Sequence, residues 1–292
     1  FGLSTLPGSL ARPGSAAMVG RTPGGPRRRS DPGVDMRWLK VLLPLIVAAS
    51  FALAEAPVEA APSCYGSPAT PGHLGTNKPD LIVGTPGKDV IITFGGGDIV
   101  WGLGGDDKIC TGSGNDRVLA GGGYDIVHAG TGDDQVFGGR GGDGLNGGDG
   151  NDLLVPQEGT GGYAEGGAGR DRIVIRAEGD NEVYGGPDRD VLDFRRSPSP
   201  VYVNLVMGRY WSTSGLPVGS LVFDVENVIG SKWNDTLTGD RRPNLLNGFG
   251  GGDTINGRPG NDRLIGGTGW DKLDGGDGTD TCDGEEEANC EV

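Results

Sequence analysis

Nine aspartates follow one another at an unbroken interval of nine residues: Asp80, Asp89, Asp98, Asp107, Asp116, Asp125, Asp134, Asp143 and Asp152. Chance would produce such a run with odds on the order of one in a billion, so the spacing is a structural repeat. Its surroundings repeat as well. Glycine stands two positions earlier at 87, 96, 105, 114, 123, 132, 141 and 150, and one branched aliphatic stands two positions later, from Ile82 and Ile91 to Leu145 and Leu154. Glycine supplies 60 of 292 residues, about a fifth, without the strict triplet of collagen. A chain built this way can bury only a narrow, repetitive core.

The residue types suggest a chemistry. Glycine takes φ > 0 without a Cβ penalty, so a six-residue turn can curl until its carbonyl oxygens converge, and the aspartate adds charge. Such a site suits a hard cation with many oxygen ligands, and the sequence offers no imidazole or thiolate cluster for zinc or copper. Calcium is the natural ion. The three residues after each turn read as a short strand with the middle side chain inward. Two units then make one coil, and turns eighteen residues apart stack on one edge about 4.8 Å apart. One ladder contains Asp80, Asp98, Asp116, Asp134 and Asp152, and the other Asp89, Asp107, Asp125 and Asp143. The first turn is the weakest, because Lys78 replaces the glycine and Pro79 follows it. Gly and Asp also build ordinary β-turns that need no metal. Carboxylates stacked at that spacing would repel one another without a cation between them.

The unit is the nonapeptide GGxGxDxUx, with U a large aliphatic. Full GGxGxD matches occur at 138–143, 147–152, 166–171, 266–271 and 275–280. It resembles the calcium-binding repeats-in-toxin family. The resemblance implies an all-β fold, a parallel β-roll or β-helix solenoid, in which several Ca2+ ions each take aspartate and carbonyl oxygens from two stacked turns. The candidate ligands are Asp89, Asp98, Asp107, Asp116, Asp125, Asp134, Asp143, Asp152, Asp171, Asp190, Asp253, Asp262, Asp271 and Asp280.

The organisation along the chain follows. Residues 1–35 read as a disordered extension or a misassigned start, 36–60 as a signal peptide and 61–74 as a lead-in segment. The first repeat array covers 75–194, with the interval loosening to ten, nine, ten and nine after Asp152 through Gly162, Asp171, Asn181 and Asp190. A β-rich interruption follows at 195–229. There Val201, Val203, Leu205 and Met207 alternate like one strand, and 221–229 reads as another. The second array, 230–281, carries Asp235, Asn244, Asp253, Asp262, Asp271 and Asp280, with weak early turns because Trp233 and Arg242 occupy the glycine position. Residues 282–292 form an acidic, disulfide-capped C-terminus.

Charge and cysteines narrow the setting. Residues 1–60 hold seven of the 25 basic and four of the 40 acidic residues, which leaves 18 against 36 and a net charge of −18 for the rest. Nucleic acid is therefore a poor partner. The apolar segment 41–54, fourteen residues behind Arg37 and Lys40, is short for a membrane span and fits a secretory signal. A secreted or extracellular location is expected. Four cysteines in a secreted chain favour two disulfides, for which three pairings exist. The preferred pairing joins Cys64 to Cys110 and Cys282 to Cys290; lipidation of Cys64 is the alternative for that residue.

A third expectation concerns the surface. Val83, Trp101, Leu119, Phe137 and Val155 lie at eighteen-residue spacing and form an outward apolar stripe. It serves either as a contact surface for a protein or cell-envelope partner, or as a face covered by residues 195–229 or the second array. With no HExxH or GxSxG and only His73 and His128 as histidines, catalysis is not expected. The expected role is a secreted calcium-binding structural or interaction module. The alternatives are a cell-surface adhesin or matrix protein, or a hydrolase or lyase using the solenoid surface.

Overall fold

A computed structural model describes residues 61–156, 161–177, 180–212 and 220–291. The expected signal peptide and the extension before it lie outside these residues. No helix among the described residues is long and apolar enough to cross a membrane.

The described chain is all-β and winds into a parallel solenoid with one long sheet on each side. One sheet has eleven strands and the other thirteen. Consecutive nonapeptides alternate between the sheets. Leu81–Val83, Ile99–Trp101 and Arg117–Gly122 stack in one, and Val90–Ile92, Lys108–Ser113 and Ile126–Thr131 in the other. The pairing follows the eighteen-residue coil: Ile82 opposes Val100, and Val100 opposes Val118. After Asp152 the coil lengthens to nineteen, and Leu154 opposes Ile173 with strand pairing intact. The added residue therefore falls between strands.

Period-two alternation builds the core. The aliphatic two positions after each aspartate points inward, and from Ile91 to Leu154 all eight are 0 % exposed. A second inward position lies two residues further on; it holds small groups in the early coils, such as Thr93, Thr111, Ala120 and Ala129, and larger ones, Ile175 and Phe194, beside the interruption. Buried threonines keep their hydroxyls satisfied: Thr93 Oγ1 donates to the Thr111 carbonyl and Thr111 Oγ1 to the Ala129 carbonyl, both at 2.8 Å.

The interruption is part of the solenoid. Leu221–Phe223 joins the thirteen-stranded sheet beside Glu182–Tyr184, and Asn227–Ile229 joins the other beside Val191–Asp193, so the sequence expectation of one strand over 221–229 becomes two on opposite sheets. The expected strand through Met207 stops at Asn204. The chain reverses there, with the Asn204 side chain accepting from the Met207 N–H at 2.9 Å, and returns antiparallel as Arg209–Ser212. This hairpin accounts for the two additional strands of the larger sheet. Its Tyr210 packs against Phe194 with ring centroids 5.1 Å apart, the largest side chains in a core otherwise built from aliphatics. Both sheets run without a break through the two arrays.

The termini are fastened as the preferred pairing has it. Cys64 is bonded to Cys110 and Cys282 to Cys290. The C-terminal segment expected only as a cap continues the solenoid, since Thr281–Asp283 and Glu286–Ala288 add a last strand to each sheet.

Candidate metal centres

The repeat places every candidate aspartate at the equivalent corner of its coil. Each turn leads straight into a strand, so the aspartate side chain points inward at the corner where the coil closes. All fourteen candidates are 2 % exposed or less, which is unusual enough for carboxylates to require an account. One oxygen is satisfied along the ladder. Oδ1 of Asp116 accepts from the backbone N–H of Asp98 at 2.7 Å, and Oδ1 of Asp125 from that of Asp107 at 2.9 Å. The same bond links Asp134 to Asp116, Asp152 to Asp134 and Asp271 to Asp253. It continues across the lengthened coil, from Asp171 to Asp152 and from Asp190 to Asp171.

The second oxygen is the informative one. In thirteen of the fourteen candidates, Oδ2 is buried without a hydrogen-bond partner; Asp89 is the other. A buried carboxylate oxygen left alone costs free energy unless a cation meets it. Asp89 differs because its Oδ2 accepts from the Thr85 N–H at 2.6 Å and the Thr85 hydroxyl at 2.9 Å, and its Oδ1 lies 3.3 Å from His73 Nδ1.

Backbone carbonyls complete the oxygen-rich setting. Stacked turns approach so closely that a Cβ on Gly114 would lie 1.9 Å from the Gly96 carbonyl oxygen, and one on Gly141 would lie 1.6 Å from that of Gly123. The carbonyls of one turn thus point at the glycines of the next. Among the described residues no three His, Cys, Asp or Glu side chains gather into a cluster. Each position offers one anionic oxygen in a field of carbonyls, a donor set that fits a hard cation of high coordination number and no thiophilic metal.

Electrostatics agrees. Burial, reinforced by neighbouring carboxylates, raises Asp107, Asp134, Asp143, Asp152, Asp190 and Asp253 to about 7, against the opposing pull of the backbone N–H each accepts. Asp171 and Asp262 rise to about 6 for the same reasons. Without a counter-ion these groups resist holding their charge at neutral pH.

Sequence reasoning missed three acidic residues that continue the ladders out of register. Glu226, 6 % exposed, accepts from the Asp190 N–H at 3.1 Å and pairs with Arg242. Glu285 accepts from the Asp271 N–H at 2.9 Å, and Glu291 accepts from that of Asp280. Their separations from their partners, 36, 14 and 11 residues, hide them from a nine-residue template.

The outward apolar stripe divides. Val83, Trp101 and Leu119 are 44, 43 and 37 % exposed, so neither the interruption nor the second array covers them. Phe137 and Val155 are half-buried and line a cleft with Arg195, Arg196 and Phe249.

No curated protein matches this chain. The family description "RTX calcium-binding nonapeptide repeat" matches it four times, over residues 74–109, 111–145, 229–263 and 247–282. Asp152, Asp171 and Asp190 lie outside the matched segments yet keep the same solitary buried oxygen. Repeats of this type bind calcium, and this chain carries them in both arrays of a single parallel β-solenoid.

Proposed function

We propose that the protein is secreted and that calcium completes its fold, with the ions held by the turn carbonyls and by the aspartates whose Oδ2 has no other partner. The thirteen solitary carboxylate oxygens carry this reading. Before calcium binds, the glycine-rich backbone has much entropy to lose and the ladder carboxylates oppose one another. At about 1 mM calcium and a dissociation constant near 0.1 mM, each site contributes roughly 1.4 kcal/mol, and several sites together decide the equilibrium. Export as an unfolded chain followed by folding outside the cell suits such a design. The solenoid then acts as a non-catalytic structural or interaction module.

A calcium titration followed by circular dichroism and calorimetry tests this. Strand signal should rise with calcium and fall again in chelator. A chain equally folded in both conditions would sink the proposal.

A surface role has its own support in Val83, Trp101 and Leu119, an exposed apolar column on the eleven-stranded sheet. The matching column on the other sheet is polar in its middle, where His128, Asn146 and Glu165 are linked at 2.8 Å. In this second reading the calcium-stiffened rod presents the column to a protein partner. Trp101→Ser combined with Phe137→Ser should abolish binding to that partner or self-association without loss of calcium-induced folding. If oligomeric state and capture from the cell envelope stay the same, the surface reading falls.

A further inference from the structure

Four ladder positions belong to turns closed in another way, and they occur in two consecutive pairs. Thr76 donates its N–H to Asp80 Oδ2 at 2.7 Å and its hydroxyl at 3.0 Å, and Thr85 does the same for Asp89 at 2.6 and 2.9 Å. In the second array Ser231 donates its N–H to Asp235 Oδ2 and its hydroxyl to Oδ1, while Asp240 donates its N–H to Asn244 Oδ1 at 2.8 Å. Each of these four side chains also accepts from the backbone N–H two residues on, at Lys78, Gly87, Trp233 and Arg242. The turn closes on itself, and one oxygen of its carboxylate or amide is satisfied from within.

The backbone separates the two kinds of turn. At the residue four before each of the thirteen aspartates with a solitary Oδ2, φ is positive. Nine of these residues are glycines, from Gly112 to Gly276, and four are Phe94, Leu103, Phe249 and Arg258. None of Thr76, Thr85, Ser231 and Asp240 has a positive φ. The four non-glycine left-handed residues stand eighteen positions after those four, one coil above each self-closed turn. In the next coil of each edge the position is glycine, at 112, 121, 267 and 276, where a side chain would strike the carbonyl below: a Cβ on Gly112 would lie 1.9 Å from the Phe94 oxygen and one on Gly276 2.0 Å from the Arg258 oxygen. Both arrays thus pass through the same three stages, a self-closed turn, a left-handed turn with a side chain, and a left-handed glycine turn.

We infer that each array opens on a pair of ion-free starter turns, one per edge, and that calcium enters the ladder only from the next coil onward. This rests on the calcium reading above and refines it: Asp89 is removed from the candidate ligands, and Asp98, Asp107, Asp253 and Asp262 become the first ones in their ladders. The starters supply a rung that is already hydrogen-bonded, on which the first ion-dependent coil can pair without a separate nucleation cost. The first starter rung is tied to the lead-in segment through His73 and Asp89, and the second lies beside the Phe194 and Tyr210 core of the interruption.

Hydrogen exchange on the full chain with its disulfides formed reads this directly. In chelator, amides in Leu81–Val83, Val90–Ile92, Thr236–Thr238 and Leu245–Asn247 should exchange about tenfold or more slowly than those in Arg117–Gly122, Ile126–Thr131 and Arg263–Ile265. Millimolar calcium should then protect all of them. The paired variants Thr76→Gly with Thr85→Gly, and Ser231→Gly with Asp240→Gly, should lose the protection seen in chelator, whereas Thr85→Ser should keep it. Uniform exchange in chelator, or starter protection unchanged in the glycine variants, overturns the inference. Failure of calcium to protect Arg117–Gly122 and Ile126–Thr131 overturns the calcium reading instead, whatever the starter rungs show.

Discussion

Glycine at a turn does two jobs in this molecule, and they can be separated residue by residue. Gly141 has φ 138° and faces the Gly123 carbonyl, with room for no further atom. Gly122, in the neighbouring stretch, has no positive φ, and a methyl group added there would meet nothing within 4 Å. Gly141→Ala should therefore cost about 3 kcal/mol or more in calcium-saturated protein, from strain and clash together, while Gly122→Ala should stay within about 1 kcal/mol of wild type. Thermal melts of the two variants side by side check this, and equal melting temperatures would remove steric stacking as the reason for the glycine content. Phe94, Leu103, Phe249 and Arg258 make the same point from the other side. They hold φ between 73 and 78° with side chains in place, where the coil below is self-closed.

At the scale of a ladder, the aspartates behave as a coupled column. The folded values of about 7 at Asp107 and Asp134 and about 6 at Asp171 and Asp262 lie above the ordinary carboxylate value near 3.9. A raised folded value means that the ion-free ladder binds protons more readily than the unfolded chain. Its stability is therefore full below about pH 4 and is lost as pH rises through 6 to 7. In chelator, strand signal should increase as pH is lowered from 8 to 5, with protons doing part of the cation's work. Calcium affinity should fall over the same interval because protons compete for the carboxylates. A chelated protein whose circular dichroism ignores pH between 5 and 8 would show that carboxylate repulsion does not control the ion-free state.

Across the whole molecule, two continuous sheets make stability cumulative along one axis, and the ends decide how far fraying can run. The Cys64–Cys110 bond closes 46 residues and fastens the lead-in segment to the second coil of the array. The chain-entropy model gives it about 4 kcal/mol, and about 2.5 kcal/mol for Cys282–Cys290 with its separation of 8. Replacing Cys64 and Cys110 by serine should lower the calcium-saturated melting temperature more than replacing Cys282 and Cys290. The reverse order would show that the C-terminal end, closed by Glu285 and Glu291 on the ladder N–H groups, is where unfolding begins.

The sequence by itself determined the period, the all-β solenoid, the inward aliphatics and the register that places fourteen candidate aspartates at equivalent corners of the coil. A nine-residue register is translational, so each unit must repeat the neighbour's backbone, and period two then assigns each side chain to a face. What the tertiary structure alone decided is which groups satisfy one another between coils. Thr85 and Gly112 both stand four residues before an aspartate, yet one closes its turn and the other leaves the carboxylate oxygen alone. Glu226, Glu285 and Glu291 reach the ladders from outside the register, and 221–229 divides between two sheets. Hydrogen bonding and steric contact between stacked turns depend on what lies one coil below, and that neighbour is set by the winding of the chain through space.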